Sequence, residues 1–175
     1  MACEILSGIV GVCQYSTSGA EKLWLSNKDS LTGSTIYSVD VSGEITGMTW
    51  SGGTVVVYEI EAALDTITFS DDLAVNGSRR NFLQTVNFSV GSLSSTILGT
   101  IEDIGLSNLV AFVKLSDGTY RGFGLKGTGL RATVITDTSG TAGANDANLA
   151  VTLSGTNLAK APYVSATYAA TMGLD

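Results

Sequence analysis

The stretch Asn108–Leu125, NLVAFVKLSDGTYRGFGL, decides the fold class. Asn108 to Leu115 is an almost unbroken run of apolar, β-favouring residues, the pattern of a buried strand. Ser116-Asp117-Gly118 then supplies a tight turn, because Asp tolerates the turn conformation and Gly takes positive φ without steric cost. Thr119 to Leu125 returns antiparallel to the first run. A hairpin this apolar needs cover on at least one face, so the rest of the chain must supply a second layer.

Working outward, the same punctuation recurs on both sides. Short β-branched or aromatic runs alternate with Gly, Ser, Asn and Asp, and helix signals are scarce. Lys22 to Ser26, Thr35 to Val39 and Glu44 to Trp50 read as three strands of a meander. Val55 to Ala63 reads as one long strand, about 30 Å at roughly 3.3 Å per residue. On it Val55, Val57, Glu59 and Glu61 share one face, while Val56, Tyr58, Ile60 and Ala62 share the other. Thr66 to Ser70 continues it or pairs with it. Phe82 to Val90 alternates as a half-buried strand. Asp71 to Asn81, with Asn76-Gly77 and Arg79-Arg80, reads as a loop or hairpin tip projecting from the body. Gly129 to Thr136 and Leu149 to Ser154 are further strands, separated by the polar loop Asp137 to Asn148.

One helix is expected, over about residues 93–104: Leu93, Ile97, Ile101 and Ile104 recur near helical spacing, with Ser92 as cap and Gly105 as stop. The fold class is therefore mainly β, an antiparallel sandwich or barrel with one flanking helix. Residues 1–175 form a single domain, with a possible N-terminal arm over 1–20 and a C-terminal arm over 159–175 that docks on another subunit or frays.

Composition bounds the function. Charged residues are 14% of 175, with 21 Gly and 1 Pro. A surface so poor in charge and rich in Ser, Thr and Gly fits a protein covered by neighbouring subunits. Nine basic residues against sixteen acidic give a net charge of -7, which removes the cation excess that tight nucleic-acid binding needs. An acidic surface still suits a polyanion that must slide past. Met1 to Gly19 lacks the basic region and apolar length of a secretion signal, and no stretch is long enough for a membrane helix. The expectation is a chain kept in the cytoplasm until it joins something larger. Cys3 and Cys13 read as free thiols, and two thiols without His make no zinc site.

Chemistry-bearing motifs are weak. Gly122-Phe123-Gly124-Leu125-Lys126-Gly127 matches a dinucleotide fingerprint by letter, but β-like sequence follows where a helix must start. Its glycines read as a bend where two backbones approach closely. With no His, Ser-His-Asp and Cys-His arrangements are gone. Paired acids at Glu59/Glu61, Asp71/Asp72 and Glu102/Asp103 read as solvated, and Asp137, Asn145, Asp146 and Asn148 lack the spacing of a calcium loop. No enzyme activity, cofactor or metal is expected. Surface Trp24, Trp50 or Tyr120 stacking on sugar is the alternative to core packing for those aromatics.

Several segments resemble a known family: Met1-Ala2-Cys3-Glu4-Ile5-Leu6-Ser7-Gly8, Cys13, and Gly19 leading into Lys22 to Asn27; Val39-Asp40 and Gly43-Glu44-Ile45-Thr46; Gly124, Gly127, Gly129-Leu130; and Thr136-Asp137, Ser139-Gly140, Asp146, Leu149 to Gly155 and Ala161. They are similar to small tail structural proteins, tail-tube-like, of Bacteroidetes-type phages and prophages. The resemblance implies a virion protein assembled in the host cytoplasm into the tail, a homo-oligomer of hexameric rings stacked as a tube. Its partners would be other tail proteins and DNA in transit, with no membrane. It also implies an acidic lumen, for which Glu59, Glu61 and Asp65 are the candidates, while Arg79 and Arg80 are candidates for a subunit interface. A neck or decoration component, or a carbohydrate-binding module at the tail tip, is the other expectation.

Overall fold

The computed structural model describes residues 2–6, 9–12, 19–32, 36–63, 65–76, 79–91, 95–138 and 148–174. Its strands in chain order are β1 (Ala2–Leu6), β2 (Ile9–Val12), β3 (Ala20–Asn27), β4 (Tyr37–Val39), β5 (Ile45–Met48), β6 (Tyr58–Ile60), β7 (Thr68–Asn76) and β8 (Arg79–Gly91). Helix α1 (Ser95–Leu106) follows, then β9 (Leu109–Leu115), β10 (Tyr120–Phe123), β11 (Arg131–Thr138), β12 (Asn148–Asn157), β13 (Tyr163–Val164) and helix α2 (Ala166–Met172). The fold is mainly β, two packed sheets with no closed barrel.

The β9–β10 hairpin stands as expected, with Tyr120 opposite Lys114 and Phe123 opposite Ala111. It lies inside a seven-stranded sheet of order β4-β5-β13-β10-β9-β3-β6. Leu109 to Val113 are all buried because both faces of β9 are covered. On one face Leu109, Ala111 and Val113 join Leu23, Leu25, Val86, Phe88, Leu149, Val151 and Leu153 in the core between the sheets. On the other, Val110 and Phe112 join Trp24, Ile45, Leu125, Ala169, Met172 and Leu174 in a second core. That is why the run is continuous rather than alternating.

The second large sheet is four-stranded and wholly antiparallel, of order β11-β12-β8-β7. Strand β8 shows a clean period of two: Gln84, Val86, Phe88 and Val90 face the core while Leu83, Thr85, Asn87 and Ser89 face away, as a one-sided sheet requires. Helix α1 packs by Ile101 and Ile104 into the inter-sheet core beside β11. It runs past the expected stop at Gly105, and the expected cap Ser92 and Leu93 lie outside the described residues.

Several expectations are corrected. Strand β3 does not pair with β4; it sits between β9 and β6, so the three-strand meander does not form. The long strand over 55–63 shrinks to Tyr58–Ile60, because only that part reaches β3, while Val55 and Val57 pack against the second core. For Asp71 to Asn81, read as a loop or hairpin tip, the hairpin alternative stands: β7 and β8 pair from Thr68–Asn87 to Asn76–Arg79. In the N-terminal arm, β1 and β2 form a separate two-stranded sheet, and Cys13 lies outside the described residues.

The C-terminal stretch docks on its own body. Val164 pairs in parallel with Ile45, and Tyr120 pairs antiparallel with Val164, placing β13 between β5 and β10. Helix α2 is capped at both ends: Ser165 Oγ accepts from Tyr168 N at 3.3 Å, and Gly173, at φ 75, donates to the last turn, as αL caps do. Tyr168 Oη accepts from Met48 N at 2.8 Å and from Trp50 Nε1 at 3.2 Å. Burying Ala169, Met172 and Leu174 outweighs the entropy of leaving the tail free.

Candidate functional site

The core-facing side of β7 and β8 carries a buried polar cluster built on Asp71, Gln84 and Arg121. Gln84 is buried; its Oε1 accepts from Gly124 N at 2.8 Å and its Nε2 donates to Ala159 O at 3.1 Å. Opposite it in the ladder, Asp71 accepts at Oδ2 from Arg121 Nη2 at 3.2 Å and from Ala161 N at 2.9 Å. Arg121 also donates to Ala161 O at 3.0 Å, and its guanidinium lies 5.3 Å from the rings of Phe69 and Phe123 and 5.4 Å from Tyr163. The Asp71 and Arg121 side chains are only 4% and 11% exposed. A pair this dry holds only because each charge keeps several partners. The cluster ties the four-stranded sheet to β10 and to the segment before β13, so its work is structural.

Gly124 shows why glycines fill the dinucleotide-like motif. At φ 78, a Cβ there would stand 2.8 Å from the Leu109 carbonyl oxygen, so the chain turns tightly against the start of β9. The next element is strand β11 and not a helix, and the reading as a close backbone approach holds.

Beyond Asp71 and Gln84 the β7–β8 ladder leaves the body. The same face continues as Leu73 opposite Phe82 and Val75 opposite Arg80, and Leu73, Val75 and Arg80 are exposed. Arg79 pairs with Asn76 next to the turn. An apolar face that is core at one end and bare at the other is an overhang, and hydrophobic patches of this kind mark interaction surfaces. Exposed Leu158 and Tyr163 lie in the chain that follows β12 and in β13.

The opposite edge of the sheet is equally open. Strand β11 is exposed at nearly every position, Val134 and Ile135 included. Beside it the end of α1 presents Glu102, Asp103 and Leu106 to solvent. Both edge strands are long, eight residues in β11 and nine in β7, and unpaired edges of that length invite further strand pairing.

The face of this sheet that points away from the core mixes hydroxyl and amide side chains with exposed Leu83 and Val134 and the carboxylate of Asp72. Ser70 and Asp72 of β7 lie beside Thr85 and Leu83 of β8, and Asn87 and Thr85 beside Thr152 and Ser154 of β12. Thr85 and Ser154 hydroxyls are 3.4 Å apart, and Asn87 Nδ2 donates to Thr68 Oγ1 at 3.2 Å.

Glu59, Glu61 and Asp65, the residues expected at a lumen, lie on β6 and just after it. Glu59 is on β6, an edge strand of the seven-stranded sheet, 3.4 Å from Lys22 Nζ. Glu61 and Asp65 follow it, both exposed. They do not form one acidic strand face, because the strand carrying them ends at Ile60. Asp65 and Glu21 line an open cavity of about 280 Å³. Among the described residues no three His, Cys, Asp or Glu side chains converge, and Asn145 and Asp146 lie outside them. Trp24, Trp50 and Tyr120 are buried in the second core, which takes away the residues on which sugar stacking was to rest.

Lys28, half-buried, donates from Nζ to Leu125 O, and burial pulls its pKa below the ordinary lysine value. Asp40 is held low first by the Glu44 N–H, and Asp117 first by the Thr119 hydroxyl. Both are turn carboxylates, and neither lies on the open sheet.

The chain matches no protein-family model, no curated protein and no solved structure. Its geometry alone therefore carries the functional reading. Sequence reasoning did not find Leu73, Val75 and Leu106. The signal was the alternation Phe69, Asp71, Leu73, Val75, masked by a charge at a core-facing position.

Proposed function

We propose that this chain is a structural subunit that joins copies of itself laterally into rings, and that the rings stack as a tube in a phage tail through which DNA passes. One observation carries the reading: the four-stranded sheet has two open, long edges that run in opposite directions. Counting across β11-β12-β8-β7, the strands alternate in direction. Setting β7 of one copy beside β11 of the next continues the alternation without a break. Such head-to-tail contacts close into rings or propagate into filaments, and closure removes both edges.

The stagger supports closure. β7 lies opposite Arg79–Asn87 of β8, whereas β11, through β12, lies opposite Thr85–Gly91. Aligning the two edges shifts each copy along the strands, which is the shear that closed barrels need. The bulk of the chain sits on the core side of the sheet, so closure turns the face that points away from the core inward. Ser70, Asp72, Thr85, Asn87, Thr152 and Ser154 would line the channel, in place of Glu59, Glu61 and Asp65. A wall of hydroxyls, amides and the apolar Leu83 and Val134 gives phosphates few cations to hold, and DNA slides.

Negative-stain electron microscopy of the purified protein across a concentration series tests this. Rings or hollow tubes are expected, and a particle that stays small at every concentration would sink the reading.

A further inference from the structure

We propose that the bare face of the β7–β8 overhang seats on helix α1 of the next copy, with Leu73 and Val75 against Leu106 and Arg80 against Glu102 and Asp103. This inference rests on the lateral joining proposed above and names the contact that would select the partner.

Three observations converge on it. First, side. Leu73, Val75 and Arg80 lie on the face of β7–β8 that points to the core at Asp71 and Gln84. Helix α1 lies on that same side of the sheet, where Ile101 and Ile104 enter the inter-sheet core. Second, edge. The overhang extends the β7 edge, and α1 packs beside β11, the other edge. Bringing β7 against β11 of a second copy therefore brings the overhang's bare face alongside that copy's α1. No rotation of either element is required.

Third, complementarity. Leu73 and Val75 are 55% and 62% exposed, and Leu106 is 89% exposed. Each surface sets charge beside its apolar residues, and the signs are opposite: Arg80 on the overhang, Glu102 and Asp103 on the helix. Among the described residues none of these three charges has an ion-pair partner within the chain. In a chain of net charge -7, copies repel at long range, so a cation placed on one edge and anions on the other fix which edges meet. A contact of this type is heterologous: the overhang of each copy is filled by the helix of the next, never by another overhang.

A charge exchange tests the contact. Arg80→Glu alone, and Glu102→Lys with Asp103→Lys, should each raise the concentration at which rings or tubes appear by roughly tenfold or more. Combining all three changes should return it close to that of the unaltered chain. All three positions are exposed, so thermal melting should be unchanged in every variant. Arg80→Glu assembling at the unaltered concentration, or the combined variant assembling as poorly as the single ones, would overturn this contact and leave lateral joining intact. An unaltered chain that never assembles would overturn both.

Discussion

The two large sheets of this molecule spend their sequence differently. The seven-stranded sheet buries β9 on both faces, so Leu109 to Val113 have no exposed position. The four-stranded sheet buries one face of β8 and leaves Leu83, Thr85, Asn87 and Ser89 on the other. Its edges β7 and β11 are long and open, whereas the seven-stranded sheet ends in the three-residue strands β4 and β6. Short edges are how a monomer protects itself, and long ones are how an assembly continues. One sheet thus ends in short, protected edges, the other in long edges that leave room for a further strand.

The boundary between the two regimes lies at the Asp71–Gln84 rung, and breaking it should have the largest effect. Asp71→Ala leaves Arg121 buried without its carboxylate, and a loss of about 3 kcal/mol is expected in urea unfolding. Asp71→Leu with Arg121→Met should recover most of it, since matched apolar residues replace a buried pair at little cost. If Asp71→Ala unfolds at the same urea concentration as the parent, the cluster is not the clamp described.

A smaller effect sharpens the contrast. Leu73→Ser with Val75→Ser, beyond the boundary, should change monomer stability by no more than about 0.5 kcal/mol while weakening assembly. Equal loss in both measurements would make the overhang part of the core after all.

The smallest effect belongs to the turns. Asp40 and Asp117 have folded pKa values below their ordinary ones. Each therefore contributes stability that is complete above the unfolded value and lost as pH falls through the folded one. Urea midpoints taken from about pH 6 down to about pH 2 should fall less in Asp117→Asn than in the parent. Identical slopes would remove the Thr119 contacts from the ledger.

What the sequence disclosed depended on whether the deciding contact was local. The β9–β10 hairpin was legible because Asp117-Gly118 and the apolar run beside it are adjacent, and β8 because its period of two is intact. Helix α1 was legible from Ile101 and Ile104. By contrast, the sequence pattern ends β7 at Ser70 because Asp71 and Asp72 look solvated, and the partners that bury Asp71, Arg121 and Ala161, lie fifty and ninety positions away in the chain. Val55 to Ala63 alternates like a strand, yet a strand needs a ladder, and β3 offers one only to Tyr58–Ile60. Helix α2 carried its caps, Ser165 and Gly173, in plain view, but seven residues are too few for periodicity to announce them. The candidate assembly surface is half visible in the sequence: Arg80 stands out for its charge, whereas Leu73 and Leu106 become informative only through their exposure in the fold.

The order β5-β13-β10 also sets a timetable. The β4–β5 hairpin is synthesised early, but among the described strands its ladder to the rest of the sheet runs through Tyr163–Val164, more than a hundred residues later. On a ribosome adding about 5–20 residues each second, that hairpin waits several seconds for its neighbour. Over that interval Ile45 has no β13 to pair with, and the second core lacks Val164, Ala169, Met172 and Leu174. The β4–β5 side of the sheet therefore gains its ladder to the rest only after residues 163–164 have been made.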